Sequence, residues 1–412
     1  MMSANSTDWQ RLPIVSLCEA HVDCVNRTAP VVNEPTPFKM LRTTNVRNGY
    51  VDSENVRYVT EETYRKWTRR LVPRRGDVIL TREAPLGDVG KIRTDDAVFL
   101  GQRLYHFRPD PKKLDADFLL YSLLGDDLQS QIKGFGSGST VEHMRLEDIP
   151  NLEFNVPTLP VQQRIAGILS AYDELIENNR RRIRILEEMA RNLYREWFVH
   201  FRYPGTNMKP ATTGKLLDCA TGTLGDLCDL TKISYDDAQH SELPLLDLAH
   251  IPSNTLAPQD AGNPSELSTS RIVFKKGDTL FGAIRCYLHK VVIAPYPGVT
   301  NVSVLVLHPK RPEFRALLAV LASSPDTIRW ADQHSTGTKM PVINGNVFKT
   351  LTAPVPSPTL AASFERAAGP MLDELCLLSI KNQNLRCTRD LLLPRLLSGQ
   401  ISLSDAVAEA IQ

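Results

Sequence analysis

The chain repeats itself at close to half its length. Gly138-Ser139-Thr140 returns as Gly337-Thr338-Lys339, 199 positions later, and at that offset Ile165, Tyr172, Ile176, Leu186, Leu193 and Trp197 fall on Phe364, Met371, Leu375, Leu385, Leu392 and Leu396. Upstream, Arg75-Gly76-Asp77-Val78-Ile79-Leu80 matches Lys276-Gly277-Asp278-Thr279-Leu280-Phe281 at an offset of 201. Arg108-Pro109 matches His308-Pro309, and Val15-Ser16-Leu17-Cys18 resembles Gly225-Asp226-Leu227-Cys228. Repeats of about 20–50 residues build solenoids, whereas one of about 200 means two related domains. The chain is expected to hold two similar, non-identical globular units, each followed by a long helix. Such a pair suits the reading of two similar but different things.

The clearest helix lies between the units. Ile165, Leu169, Tyr172, Ile176, Asn179, Ile183, Leu186, Ala190, Leu193 and Trp197 alternate by four and three, the a/d seam of a coiled coil. Pro160 stands just ahead, where proline is tolerated, and Pro204-Gly205 is the expected stop. Some 40 residues give a rod on the order of 60 Å, too long for one domain's core helix. The second copy, Phe364, Ala368, Met371, Leu375, Leu378, Asn382, Leu385 and Leu392, keeps the alternation, with Arg389 as an imperfection. Pro370 predicts a kink or late start there, and Pro394 a break. Set antiparallel, Ile165 meets Leu396, Trp197 meets Phe364, and Asn179 comes within one position of Asn382. The expectation is an intramolecular antiparallel coiled coil whose register an Asn pair fixes. The plainer alternative leaves both asparagines hydrated at the seam edge.

The fold class expected is α+β: two mixed α/β domains joined by two long antiparallel coiled-coil helices in a pseudo-twofold repeat. The boundaries are 1–160 for the first domain, 161–204 for its helix, 205–221 for a linker, 222–360 for the second domain, 361–402 for its helix and 403–412 for a tail. Val78–Thr81 and Leu104–Phe107 read as strands, as do Thr279–Ile284 and Val302–Leu307; Phe118–Ile132 and Phe314–Ala322 read as helices.

Composition narrows the function classes. With 412 residues, 42% hydrophobic and 23% charged, the chain can bury two ordinary cores. No run approaches the roughly 18 apolar residues of a membrane span, and the start lacks a signal peptide's regions, so a cytoplasmic location is expected. Seven scattered cysteines without a Cys-x-x-Cys pair read as buried free thiols, with no metal site. A net charge of +1 is low for a protein that grips nucleic acid by itself, so any such role is local or shared. The densest basic run, Arg65, Lys66, Arg69, Arg70, Arg74 and Arg75 with Tyr64 and Trp67, fits a phosphate track or a solvated helix face equally well.

Taken in order, several motifs resemble one family. They are Gly76-Asp77-Val78-Ile79-Leu80-Thr81-Arg82-Glu83-Ala84-Pro85-Leu86-Gly87, Gln102-Arg103, Gly138-Ser139-Thr140, Pro157 with Gln162-Gln163-Arg164-Ile165-Ala166, Leu169-Ser170, and the ending Leu391-Leu392-Leu393-Pro394-Arg395-Leu396-Leu397-Ser398-Gly399. Together they resemble the specificity subunit of type I restriction-modification systems over nearly the whole chain. The resemblance implies two target-recognition domains, each reading half of a bipartite site in double-stranded DNA, with the helices setting the spacing. It also implies docking of two modification (methyltransferase) subunits and of restriction (motor-nuclease) subunits. S-adenosylmethionine, ATP and Mg are then expected on those partners, and no cofactor on this chain. The second copy departs from the pattern at Phe281-Gly282-Ala283-Ile284-Arg285 and at Ala361-Ala362-Ser363.

No catalytic motif accompanies these residues. The lone Asn263-Pro264-Ser265 fails as an amino-methyltransferase motif, Gly214-Lys215-Leu216 fails as a P-loop, and no zinc-protease or nucleophile-elbow pattern is present. The chain reads as non-catalytic. A stand-alone nuclease or modification enzyme, and a coiled-coil scaffold without DNA, are the alternatives. Expected DNA contacts are Arg82, Gln102, Arg103, Lys133, Ser139 and Thr140 in the first unit, and Arg285, His289, Lys290, Thr338 and Lys339 in the second. Arg and Gln suit base edges, while Ser, Thr and Lys suit phosphates. Tyr287 has the shape to wedge or stack, although such a tyrosine is more commonly core.

Overall fold

The computed structural model describes residues 9–136, 142–203, 218–231, 233–236, 240, 242–258, 261–263, 265 and 270–401. By internal packing the chain divides into two compact units, Met1–Glu174 with Arg386–Gln412, and Leu175–Leu385.

The first unit is built on a six-stranded sheet. Its order is Cys18–Asp23, Leu104–Pro109, Val78–Arg82, Leu86–Lys91, Gly49–Val51, Val46–Arg47. Val78, Ile79 and Leu80 are fully buried. A strand covered on both faces loses the polar-apolar alternation of a half-exposed one. Each such aliphatic side chain contributes roughly 1.5–3 kcal/mol by leaving water. In the second unit a four-stranded sheet repeats the same order: Cys228–Leu230, Val304–Pro309, Thr279–Gly282, Val291–Ile293.

The shared Gly-Asp motif makes the corner that starts the central strand. Gly76 and Gly277 have φ of 93° and 89°, values that favour glycine. Each following aspartate folds back to accept a backbone N–H, from Arg74 to Asp77 and from Lys275 to Asp278, both at 2.8 Å. Gly76 and Gly277 donate to the Ile92 and Ala294 carbonyls, and these two residues donate back to Asp77 and Asp278.

The expected helix over 118–132 is in fact two, Ala116–Leu124 and Asp126–Gly134. Gly125 turns extended between them, and a Cβ there would lie 2.7 Å from Leu397 Cδ1, so the end of the Leu397 side chain would have to shift to admit one. Asp115 caps the first helix by accepting from Asp117 and Phe118 N–H groups. The second-unit strands are shorter or later than expected, Thr279–Gly282 and Val304–Pro309, and Val302 is 60% exposed.

The first spacer helix is Leu159–Tyr194, closed by a π-helical turn over Arg195–Val199. It therefore stops before Pro204-Gly205, which lie outside the described residues. The second runs unbroken over Pro358–Leu397, so the late start and the break expected at Pro370 and Pro394 do not occur. A proline removes one helical hydrogen bond and clashes with the preceding turn, costing about 3 kcal/mol. Around Pro370 Arg315 ties the helix on either side, binding Glu365 at 2.7 Å and Asp373 at 2.6 Å. Buried Leu392 and Leu396 flank Pro394.

The helices run antiparallel in each unit. In the second, Asn179 Nδ2 donates to Asn382 Oδ1 at 2.9 Å, Arg182 pairs with Glu374, and the Trp197 and Phe364 rings meet edge-on at 5.6 Å. Both asparagines are buried, 8% and 3% exposed, which excludes the hydrated-edge alternative. In the first unit, Arg389 bonds Asp173 at 2.6 Å in the same register. Along the seams, Ile165, Leu169, Tyr172, Ile176, Ile183, Phe364, Leu375, Leu378 and Leu392 are buried, and Leu186, Leu193, Met371 and Leu385 are partly so.

Candidate nucleic-acid interface

In both units the central strand runs out of the sheet into an irregular segment, and a distant loop pairs with that segment. In the first, Glu83 bridges His143; in the second, at equivalent positions, Ile284 bridges Val342. The repeat thus continues beyond the sheet, to an edge where the two copies carry different residues.

In the first unit this edge gathers Arg82, Glu83 and Arg103. Arg82 is half-buried; its main chain bonds Arg103 and Met144, and its Nη1 donates to the Met144 carbonyl at 3.0 Å. That guanidinium holds the loop through this one bond, and its buried Nε has no partner among the described residues. Arg103, with φ of 70°, is exposed and pairs with Glu83 at 3.2 Å. A surface pair of this kind contributes about 1 kcal/mol or less and opens readily to another acceptor. Gln102 is half-buried and accepts a hydrogen bond from Thr28. Lys133 is exposed, but in the last turn of Asp126–Gly134, away from this cluster in sequence. Ser139 and Thr140 lie outside the described residues.

In the second unit Arg285, Thr338 and Lys339 are exposed on two adjoining loops, joined by the Arg285 N–H donating to the Pro341 carbonyl at 2.8 Å. Left-handed residues, Arg285 and His289, bracket the short turn Cys286–Leu288. His289 and Lys290 serve the fold: the imidazole Nε2 donates to the Ser323 carbonyl at 2.7 Å, and Lys290 Nζ donates to the Leu248 carbonyl. Burial holds the His289 pKa below the ordinary histidine value. These two anchor the turn that presents its neighbours. Tyr287 is not core: it is 56% exposed at the tip, beside Leu288.

The basic run is mostly neutralised within its unit. Arg65 pairs with Glu61, Arg70 with Asp23, Arg74 with Glu19 and Arg75 with Asp95, while Tyr64 packs on Phe38. Exposed pairs of this kind fit both a phosphate track and a solvated face. Of the cysteines, Cys24, Cys228, Cys286 and Cys376 are buried, but Cys387 is exposed. Burial lifts the Cys376 thiol to about 12.

Sequence reasoning missed buried polar groups elsewhere in the two units. His106 Nε2 donates to Asp77 at 2.6 Å and Arg108 adds two bonds, at 2.9 and 2.7 Å, so one carboxylate gathers a histidine and an arginine. Burial raises the Asp77 pKa, yet Arg108 and His106 outweigh it and leave the carboxyl below its ordinary value. Asp173, whose side chain is 4% exposed, takes Arg389 on one oxygen and the Tyr121 hydroxyl on the other, at 2.7 Å. Glu187 accepts from the Leu256 N–H and the Thr255 hydroxyl. Among the described residues no group of three or more His, Cys, Asp or Glu could hold a metal, and no helix is long and apolar enough to cross a membrane.

Comparison with known proteins agrees with this architecture. Residues 8–188 match the family model described as Type I restriction modification DNA specificity domain. The MjaIX specificity subunit of Methanocaldococcus jannaschii is 23% identical over 384 residues, covering 86% of this chain and 84% of that protein. The HindI specificity subunit of Haemophilus influenzae is 20% identical over 400 residues, covering 80% and 87%. In fold, the chain matches the crystal structure of the type I restriction-modification S subunit from M. genitalium with a TM-score of 0.61, at 18% identity, over 96% of this chain and 98% of that one. The resemblance read from the motifs is thereby borne out: residues 8–188 match that family's DNA specificity domain, most of the chain is similar in sequence to type I specificity subunits, and its fold is similar to that of a solved S subunit.

Proposed function

We propose that the chain is the sequence-specific DNA-recognition subunit of a type I restriction-modification complex, each unit reading one half of a bipartite target. The observation that carries this is the repeated edge. The same strand order and the same loop bridge recur in both units, yet the exposed side chains differ, Arg103 in one and Arg285, Tyr287, Thr338 and Lys339 in the other. A conserved frame with divergent exposed groups suits two readers of different half-sites, because base-edge contacts carry sequence and the frame does not.

The chain itself acts without catalysis, in the cytoplasm. Methyl transfer, with S-adenosylmethionine, belongs to two modification subunits docked on the spacer helices; ATP- and Mg-dependent cleavage belongs to restriction subunits. With a net charge of +1, the chain alone binds DNA weakly and gains affinity from its partners' charge. The test is DNA binding and adenine methylation by the chain alone, by the modification subunits alone and by the complex. Salt-sensitive, sequence-selective binding is expected only from the complex; methylation by the isolated chain would overturn the non-catalytic reading.

A further inference from the structure

The repeat relates each position of the first spacer helix to the one 199 residues on in the second. Under that relation the image of the Asn179–Asn382 contact is Ile183 with Leu378, and the image of Asp173–Arg389 is Ala190 with Leu372. Both images are apolar. In the second unit Ile183, Leu378, Ala190 and Leu372 are all buried in one hydrophobic cluster. The Asn179–Asn382 amides, by contrast, bond each other at 2.9 Å, and in the first unit Asp173 binds Arg389 at 2.6 Å. The polar groups therefore break the twofold that the apolar seam preserves.

This asymmetry bears on which helix can pair with which. Two copies of the first helix, antiparallel in the same register, would set Asn179 against Ile183 and Asp173 against Ala190, twice each. Two copies of the second would set Asn382 against Leu378 and Arg389 against Leu372. A pair of first helices buries two Asp173 carboxylates without Arg389 and two amides without partners; a pair of second helices leaves two amides without partners and Arg389 with only its exposed neighbour Asp390, although the apolar positions alone would accept either pair. A buried charge stripped of its partner is strongly destabilising, and an unsatisfied amide adds to that. We propose that Asp173, Asn179, Asn382 and Arg389 make the seam of the first helix a surface for the second helix alone, so that the two halves of this chain associate only as unlike pairs and a second copy of the same half is rejected. This pairing rule stands whether or not the chain reads DNA.

The test uses the full chain with a protease site placed between Tyr203 and Asp218. The purified protein is cleaved, unfolded in urea and refolded by dilution, and the complexes are weighed by native mass spectrometry. The expected result is one N-terminal fragment with one C-terminal fragment, unlike pairs exceeding like pairs by on the order of 100-fold. A fourfold variant gives each polar position the residue of its own image: Asp173→Leu, Asn179→Leu, Asn382→Ile and Arg389→Ala. It should yield like pairs approaching the random proportion. Like pairs at that proportion in the native sequence would overturn the proposal, as would a refolded variant that still forms only unlike pairs. Where the fourfold variant does not refold, Asp173→Arg combined with Arg389→Asp serves instead. Mixed with native fragments, its fragments should sort by charge, and indiscriminate mixing would contradict the rule.

Discussion

Asp77 and Asp278 stand at the same corner of two related units, with the same glycine before them and the same backbone N–H folded onto them, yet their surroundings differ. Asp77 faces buried His106 and nearly buried Arg108. Asp278 has only His308 Nδ1 at 2.6 Å, on a side chain 43% exposed. Burial raises both carboxyls; the hydrogen bonds from Arg108 and His106 reverse that for Asp77, whereas for Asp278 the Lys275 N–H and His308 do not, and its pKa stays above the ordinary value. The backbone role of the motif is thus preserved while its charge role is not. A duplicated frame can keep its turn geometry and let the ion pairs behind it drift.

The comparison can be broken most directly by removing each charge. Asp77→Asn should destabilise the first unit by about 3–5 kcal/mol, because nearly buried Arg108 loses its counter-ion and His106 its carboxylate acceptor. Asp278→Asn should change the second by less than about 1 kcal/mol, since the Asn carbonyl can still accept from Lys275. Urea unfolding, with hydrogen exchange assigning the loss to a unit, measures both; equal penalties would contradict the contrast.

The helix pair gives a smaller effect of the same kind. Asn179→Ile alone should cost about 1–3 kcal/mol by orphaning the buried Asn382 amide, whereas Asn179→Ile with Asn382→Leu should return close to the native value. A double-mutant cycle by chemical denaturation reads the difference.

The pH dependence sharpens the contrast further. The Asp77 carboxyl sits below its ordinary value of 3.8, so its contribution is present above that pH and is lost as pH falls through the folded value. The Asp278 carboxyl sits above 3.8; its contribution is full below 3.8 and is lost as pH rises through the folded value. Hydrogen exchange from pH 2 to 7 should therefore show the Asp77→Asn penalty shrinking only at the acid end. The effect of Asp278→Asn should turn toward stabilisation as pH rises from 3.8. Parallel profiles for the two variants would refute the assignment.

Much of this was legible in the sequence because it was written twice. The Gly-Asp corner, the central strands and the a/d seam each recur at a fixed offset, and the seam's antiparallel register followed from pairing the ends. What was not legible depends on partners remote in sequence. Arg389 looked like a flaw in the seam because its counter-ion, Asp173, stands 216 residues away and beside the a/d series rather than in it. His289 and Lys290 looked like DNA contacts because their carbonyl partners, at Ser323 and Leu248, carry no side-chain signature. Pro370 looked like a break because local propensity knows nothing of Arg315, which ties the helix on either side of it. The break at Gly125 was hidden by helical spacing on both sides.

The central claim, that two divergent edges on one repeated frame read two half-sites, is tested most directly by mapping methylated adenines in DNA exposed to the modification subunits with and without this chain, and with a chain carrying Arg285→Ala, Thr338→Ala and Lys339→Ala. The account predicts a bipartite motif that requires the chain and that relaxes in one half only when the second unit's edge is altered. A motif that persists without the chain, or that weakens equally in both halves, would contradict it.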